Sequence, residues 1–83
     1  MPLFMDVHHK VDGLTAKAVA EAHQGDLETQ GKHGVTYLKY WFNDQTGRVY
    51  CLVDAPSKEA AEAVHREAHG LVADEIMEVQ EGS

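Results

Sequence analysis

Cationic side chains are scarce in this sequence: seven Lys and Arg stand against fourteen Asp and Glu, a formal charge of −7 with the six histidines counted as neutral. That balance argues against nucleic acid as a partner, because backbone phosphates are neutralised by clustered Lys and Arg, and it favours cations. There is one cysteine, Cys51, so no internal disulfide can form. No apolar run approaches the roughly 18 residues of a membrane span. The opening segment MPLFMDVHHK lacks the basic start and long apolar stretch of a signal peptide. The expectation is a cytoplasmic protein without a membrane partner. Eighty-three residues are too few for barrels or doubly wound sheets and suit one compact domain over residues 1–83. At 43% hydrophobic and 25% charged, the composition is that of a globular chain. So small a domain buries only about 60–65% of its unfolded surface, and further burial in a homodimer is expected.

What is present patterns as alternating strands and helices. Residues 3–9 alternate, with Leu3, Met5, Val7 and His9 on one face and Phe4, Asp6 and His8 on the other. The first set is expected to face the helices, leaving Asp6 and His8 on the open side. After the Asp12-Gly13 turn, Thr15 is a good N-cap, and Ala16, Val19, Ala20, His23, Leu27 and Gln30 form an apolar stripe at helical spacing. Gly25 interrupts that helix at about 1 kcal/mol relative to Ala. Residues 35–43 (VTYLKYWFN) read as a strand, with Tyr40 and Phe42 on one side and Tyr37 and Trp41 on the other. The second pair is expected to cap a dimer interface, or else a small-ligand pocket, on the uncovered face, with the interface preferred. A polar loop ending in Gly47 leads to a partner strand over 48–54, with Val49, Cys51 and Val53 on one face. Pro56 or Ser57 opens a second helix, which Gly70 closes, and residues 76–80 form a last strand. The order is βαββαβ. Right-handed crossovers then predict an α+β ferredoxin-like sandwich, a four-stranded antiparallel sheet with two helices on one face.

Histidine carries the chemistry. His65 and His69, four residues apart, stack on one helix face with Glu62, so that two imidazoles and a carboxylate form a three-donor clip for a cation. The same spacing also suits a solvated helix face. Arg66 stands where a zincin motif needs Glu, so this is no metalloprotease. His23 lies on the apolar stripe, where Asp26 is placed to hold its ring N–H and leave the other nitrogen for metal. His9 is expected to approach the helix histidines. His8, His33 and Asp6 are secondary candidates, because a surface site on a dimer could draw ligands from both subunits; His33, in a Gly-flanked turn, is otherwise expected to be solvated. Cys51 reads as a small core residue. The alternative reading is a cofactor-independent enzyme or small-ligand binder with a His23–Asp26 pocket. Because neutral imidazole has to be available, with an ordinary pKa of about 6.5, metal affinity is expected to fall between about pH 7 and about pH 5.5.

Taken in order, Ala22-His23, Asp26-Leu27, Gln30, Gly34-Val35, the Tyr40-Trp41-Phe42 strand, 51–56 (CLVDAP), 64–70 (VHREAHG) and Asp74-Glu75-Ile76 resemble a family of small bacterial ferredoxin-like proteins whose best-described members bind nickel, among them an actinobacterial homodimer. The resemblance runs from the first strand to Val79. It implies Ni(II) binding at the dimer surface for sequestration or detoxification, without catalysis. Histidine-rich, thiolate-poor donors suit nickel(II), and zinc, cobalt or copper would accept them too. The choice of nickel comes from the resemblance, whereas the candidate ligands His65, His69, Glu62, His9, His23 and His8 come from the chemistry of the residues.

Overall fold

The computed structural model describes residues 2–82. Its elements run β1 (Leu3–His8), α1 (Ala16–Thr29) with a 3₁₀ turn (Gln30–His33), β2 (Thr36–Asn43), β3 (Arg48–Asp54), α2 (Lys58–Ala68) and β4 (Glu75–Val79). The strands form one antiparallel sheet in the order β2-β3-β1-β4, the ferredoxin-like α+β arrangement. Each helix starts where a hydroxyl satisfies a free amide: Thr15 accepts from Ala18 N at 3.1 Å and Ser57 from Ala60 N at 3.2 Å. At the end of α2, Gly70 takes φ +79 and returns its N–H to His65 O at 2.9 Å. Among the described residues no helix is long and apolar enough to cross a membrane.

The core lies between the sheet and the two helices. Val49, Cys51 and Val53 of β3 meet Phe4 of β1, Val19 of α1 and Ala61 and Val64 of α2. Three expectations about facing are corrected here. In β1 it is Phe4, Asp6 and His8 that face the helices, at 8%, 1% and 7% exposure. The polar pair turns inward because helix side chains offer it partners, which strand alternation cannot show. In β2 the register shifts between Tyr37 and Lys39, and the extra residue puts Tyr37 and Tyr40 on the same side. Tyr37 is therefore buried in the core and not part of an open face with Trp41. In α1 the inward residues are Val19 and Asp26, while Ala20 and Leu27 are exposed. Gly25 faces α2, where a Cβ would sit 3.5 Å from the Ala68 Cβ, an ordinary contact.

The other sheet face has no helix over it. Met5 pairs with both Leu52 and Met77, and Trp41 pairs with Tyr50, so these side chains form adjacent rows. Trp41 is 48% and Met77 45% exposed.

Candidate metal centre

α2 aims His65 into the space between helices and sheet, where it is 2% exposed. Its Nδ1 lies 2.8 Å from Asp26 Oδ1 on α1, and its Nε2 lies 2.9 Å from Asp6 Oδ2 on β1. Ionised carboxylates only accept, so both ring nitrogens carry protons and the ring is an imidazolium. Burial alone would lower its pKa, but the hydrogen bonds and charges of Asp26 and Asp6 outweigh it and push the pKa up to about 9. The carboxylates respond in kind. Burial acts to raise both, yet His65 with His8 holds Asp6 far below the usual range, and His65 with His69 lowers Asp26. One turn on, His69 Nδ1 accepts the Leu71 N–H at 3.1 Å. That fixes the tautomer and leaves Nε2–H to donate to Asp26 Oδ1 at 3.1 Å.

A second ring of groups encloses Asp6. The Tyr37 hydroxyl sits 3.1 Å from both Asp6 Oδ2 and Ala61 O, and its ring packs 4.7 Å from that of His65. His8 lies 5.2 Å from His65, ring to ring, with Nε2 3.5 Å from Asp6 Oδ1. Cys51 is the cross-strand partner of Asp6. Burial first, and then the Asp6 charge, push the Cys51 thiol up, so it stays protonated near neutral pH. The same two causes raise the Tyr37 phenol. Asp6 Oδ1 is buried with no hydrogen-bond partner among the described residues, an arrangement that costs free energy unless a cation or donor answers it.

Two sets of donor atoms converge within 4.8 Å: Asp26, His65 and His69, and, deeper, Asp6, His8, Cys51 and His65. Metal–nitrogen and metal–oxygen bonds of about 2.1 Å set neighbouring octahedral donors about 3.0 Å apart. In the first set Asp26 Oδ1 faces the N–H of both rings, at 2.8 and 3.1 Å, so an ion can meet all three donors only when the Asp26 oxygen swings out of those two hydrogen-bond lines. Both sets border a cavity of about 170 Å³ that also reaches Leu14, Val19, Ala22 and Tyr40.

Of the residues singled out in the sequence, His65 and His69 come together as expected, but with Asp26 as the carboxylate of the group. Glu62 is half-buried and joins neither set. His8 is drawn into the deeper set from the side opposite to the one expected. His9, by contrast, is exposed and leaves the cluster: its ring pairs with Glu75, and its N–H donates to Asp74 Oδ2 at 2.7 Å. His23 stacks on Tyr40 at 4.7 Å between ring centres. Asp26 hydrogen-bonds to His65 and His69 in its place, so the His23–Asp26 dyad does not form. His33 is half-buried and pairs with Glu67, which Lys32 also reaches at 3.2 Å. That contact, led by His33, lowers the Glu67 pKa. Sequence reasoning placed Tyr37 on the open face with Trp41 and gave Asp6 and Cys51 minor roles. One usable signal was that Val19, Ala22, His23 and Asp26 recur at steps of three and four on one face of α1.

A family model described as "Nickel responsive protein SCO4226-like" matches residues 4–79. The crystal structure of SCO4226 from Streptomyces coelicolor A3(2) superposes with a TM-score of 0.90 at 40% identity, covering 98% of this chain and 99% of that one. No curated protein matches.

Proposed function

The chain belongs to the nickel responsive SCO4226-like family, and from that premise we propose that it binds a divalent transition metal, nickel(II), through Asp26, His65 and His69. The observation that carries the reading is the convergence of donor atoms from Asp26, His65 and His69 within 4.8 Å of one another. Half-buried His69 gives an ion a way in. The deeper set is buried on every side and includes a protonated thiol, so it serves as the less accessible alternative. Imidazole and carboxylate suit nickel, zinc, cobalt and copper alike, and intrinsic affinity would favour copper; the family description favours nickel.

The role we propose is binding for sequestration or detoxification, without catalysis. His65 already donates through both nitrogens and His23 lacks Asp26 as an orienting partner, so neither ring is set up as a general base. We further propose a homodimer formed through the uncovered sheet face, where Trp41, Leu52 and Met77 present apolar surface. Calorimetric titration of untagged protein with nickel, zinc, cobalt and copper salts tests the site. His69→Ala is expected to weaken nickel at least tenfold while leaving the fold intact. Unchanged affinity and stoichiometry in that variant would remove Asp26, His65 and His69 as the site.

A further inference from the structure

The cavity beside the histidine cluster is larger than a metal ion requires. Its volume, about 170 Å³, exceeds the roughly 150 Å³ of an engineered apolar cavity that takes up benzene. Its walls are mostly aliphatic, from Val11, Leu14, Val19, Ala22, Val49 and Leu71, and Tyr40 with His23 supplies an aromatic wall. The buried His8, Asp26 and His65 mark its inner end, and the exposed Asp12, Gly13 and Leu71 mark its rim. We propose that this cavity binds a small organic cation: one aromatic ring or short branched chain carrying an ammonium group, seated with the ammonium towards Asp26.

Charge selects the class. Besides its histidines and the phenol of Tyr40, the ionisable lining residues are Asp12, Asp26 and the protonated thiol of Cys51, with no Lys or Arg among them. Just behind the inner end lies Asp6. Two buried carboxylates, Asp6 and Asp26, thus share one imidazolium, His65, whose two N–H groups are already committed to them. An anionic ligand would meet like charge and find no free permanent cation, whereas an ammonium would offset the surplus negative charge. The ring of such a ligand would pack on Tyr40, whose face also attracts a cation. The chain as a whole, at −7, attracts cations in the same sense. This inference does not need the metal reading, although an ammonium and a metal ion would compete for Asp26.

The test uses three one-ring probes of equal shape and different charge: benzylamine, benzyl alcohol and benzoate. Two-dimensional amide NMR titrations of the full chain near pH 7 are expected to show benzylamine saturating with a dissociation constant of about 1 mM or tighter. The shifts should centre on Val19, Ala22, Val49 and Leu71. Benzyl alcohol should bind at least fivefold more weakly, and benzoate not at all. Ala22→Leu and, separately, Ala18→Leu, which fill the cavity without touching a metal donor, should weaken benzylamine at least tenfold and leave nickel binding unchanged. Equal binding of the alcohol, binding of benzoate, shifts away from the cavity, or undiminished benzylamine affinity in both variants would each overturn the proposal. A wild-type chain that takes nickel but not benzylamine defeats this inference alone; one that takes benzylamine but not nickel defeats the metal reading alone.

Discussion

His65 donates a ring N–H to Asp26 at 2.8 Å and so fastens the second helix to the first through a buried ion pair. Its opposite nitrogen makes the matching contact to Asp6 on the central strand β1. One imidazolium thereby joins α1, α2 and the sheet. Removing charges from water costs several kcal/mol per ion, so the arrangement persists only while both carboxylates and the ring hold their charges together.

Stability should therefore depend on pH in a specific window. The folded His65 pKa, about 9, lies above the ordinary 6.5. Its contribution is fully present below about pH 6.5 and is lost as the pH rises towards about 9. A shift of that size corresponds to about 3 kcal/mol as an order of magnitude. Asp6 and Asp26 act with the opposite sign: their pKa values are depressed, so their contribution is present above about pH 4 and lost on further acidification. Urea unfolding is expected to show a maximum between about pH 4.5 and 6.5, with a declining limb up to about pH 9. Asp26→Asn should lower the maximum and bring the alkaline decline to lower pH. A flat profile from pH 6 to 9.5 would show that His65 is not held as an imidazolium.

Nickel binding should release protons above neutrality. Asp26 sits where a metal at His65 Nδ1 has to enter, and that nitrogen carries a proton held to about pH 9. His69 Nε2 likewise gives up its N–H, here by a change of tautomer in which the proton moves to Nδ1 and the Leu71 N–H is released, so this ring adds no proton to the count. The affinity gain with pH should thus continue past the range near pH 6.5 that free imidazole suggests, rising up to tenfold per unit towards pH 9. Calorimetry in buffers of different ionisation enthalpy should find at least about half a proton released per nickel at pH 7.5. Zero release would mean that nickel binds without displacing the His65 proton.

The order of elements was legible because each boundary carries its own local chemistry: Thr15 and Ser57 as caps, Gly70 as a stop, and the polar loop before Arg48. The candidate site was half legible. Helical spacing alone aligned His65 with His69, since it needs no partner element. Asp6, His8 and Asp26 were placed on the wrong face or in a lesser role because polar residues normally face water. What turns them inward is each other, brought together from β1, α1 and α2, and no single-element pattern contains that information. The β2 register shift after Tyr37 is of the same kind: the period of two fails at one residue, and Tyr37 moves into the core.

Gly25 and Gly47 should respond oppositely to alanine. Gly25 is helical, and a Cβ there would make ordinary contact with Ala68 at 3.5 Å. Gly25→Ala is therefore expected to stabilise the protein by about 0.5–1 kcal/mol through helix propensity and reduced freedom of the unfolded chain. Gly47 has φ +80, and a Cβ would approach Val11 N at 3.2 Å. Gly47→Ala should destabilise by more than about 1 kcal/mol. Thermal unfolding of the two variants, measured side by side, decides whether the helices pack as closely as described.

Trp41 offers the test of the dimer. It is 48% exposed on the uncovered face, close to Leu3, Met5 and Leu52, and a large aromatic in such a patch is the residue type that dominates binding energy once desolvated. Trp41→Glu should leave an isolated chain within about 0.5 kcal/mol of its original stability, because the side chain already faces water. Between two copies the same change places two carboxylates in an apolar contact and should abolish association. Sedimentation is expected to give twice the chain mass of 9.2 kDa for the original protein and the single mass for the variant. Because Asp26, His65 and His69 lie on the opposite side of the sheet, nickel bound per chain should not change. A monomer before substitution would remove the dimer proposal, and a loss of nickel on substitution would show that the metal site draws on the partner copy.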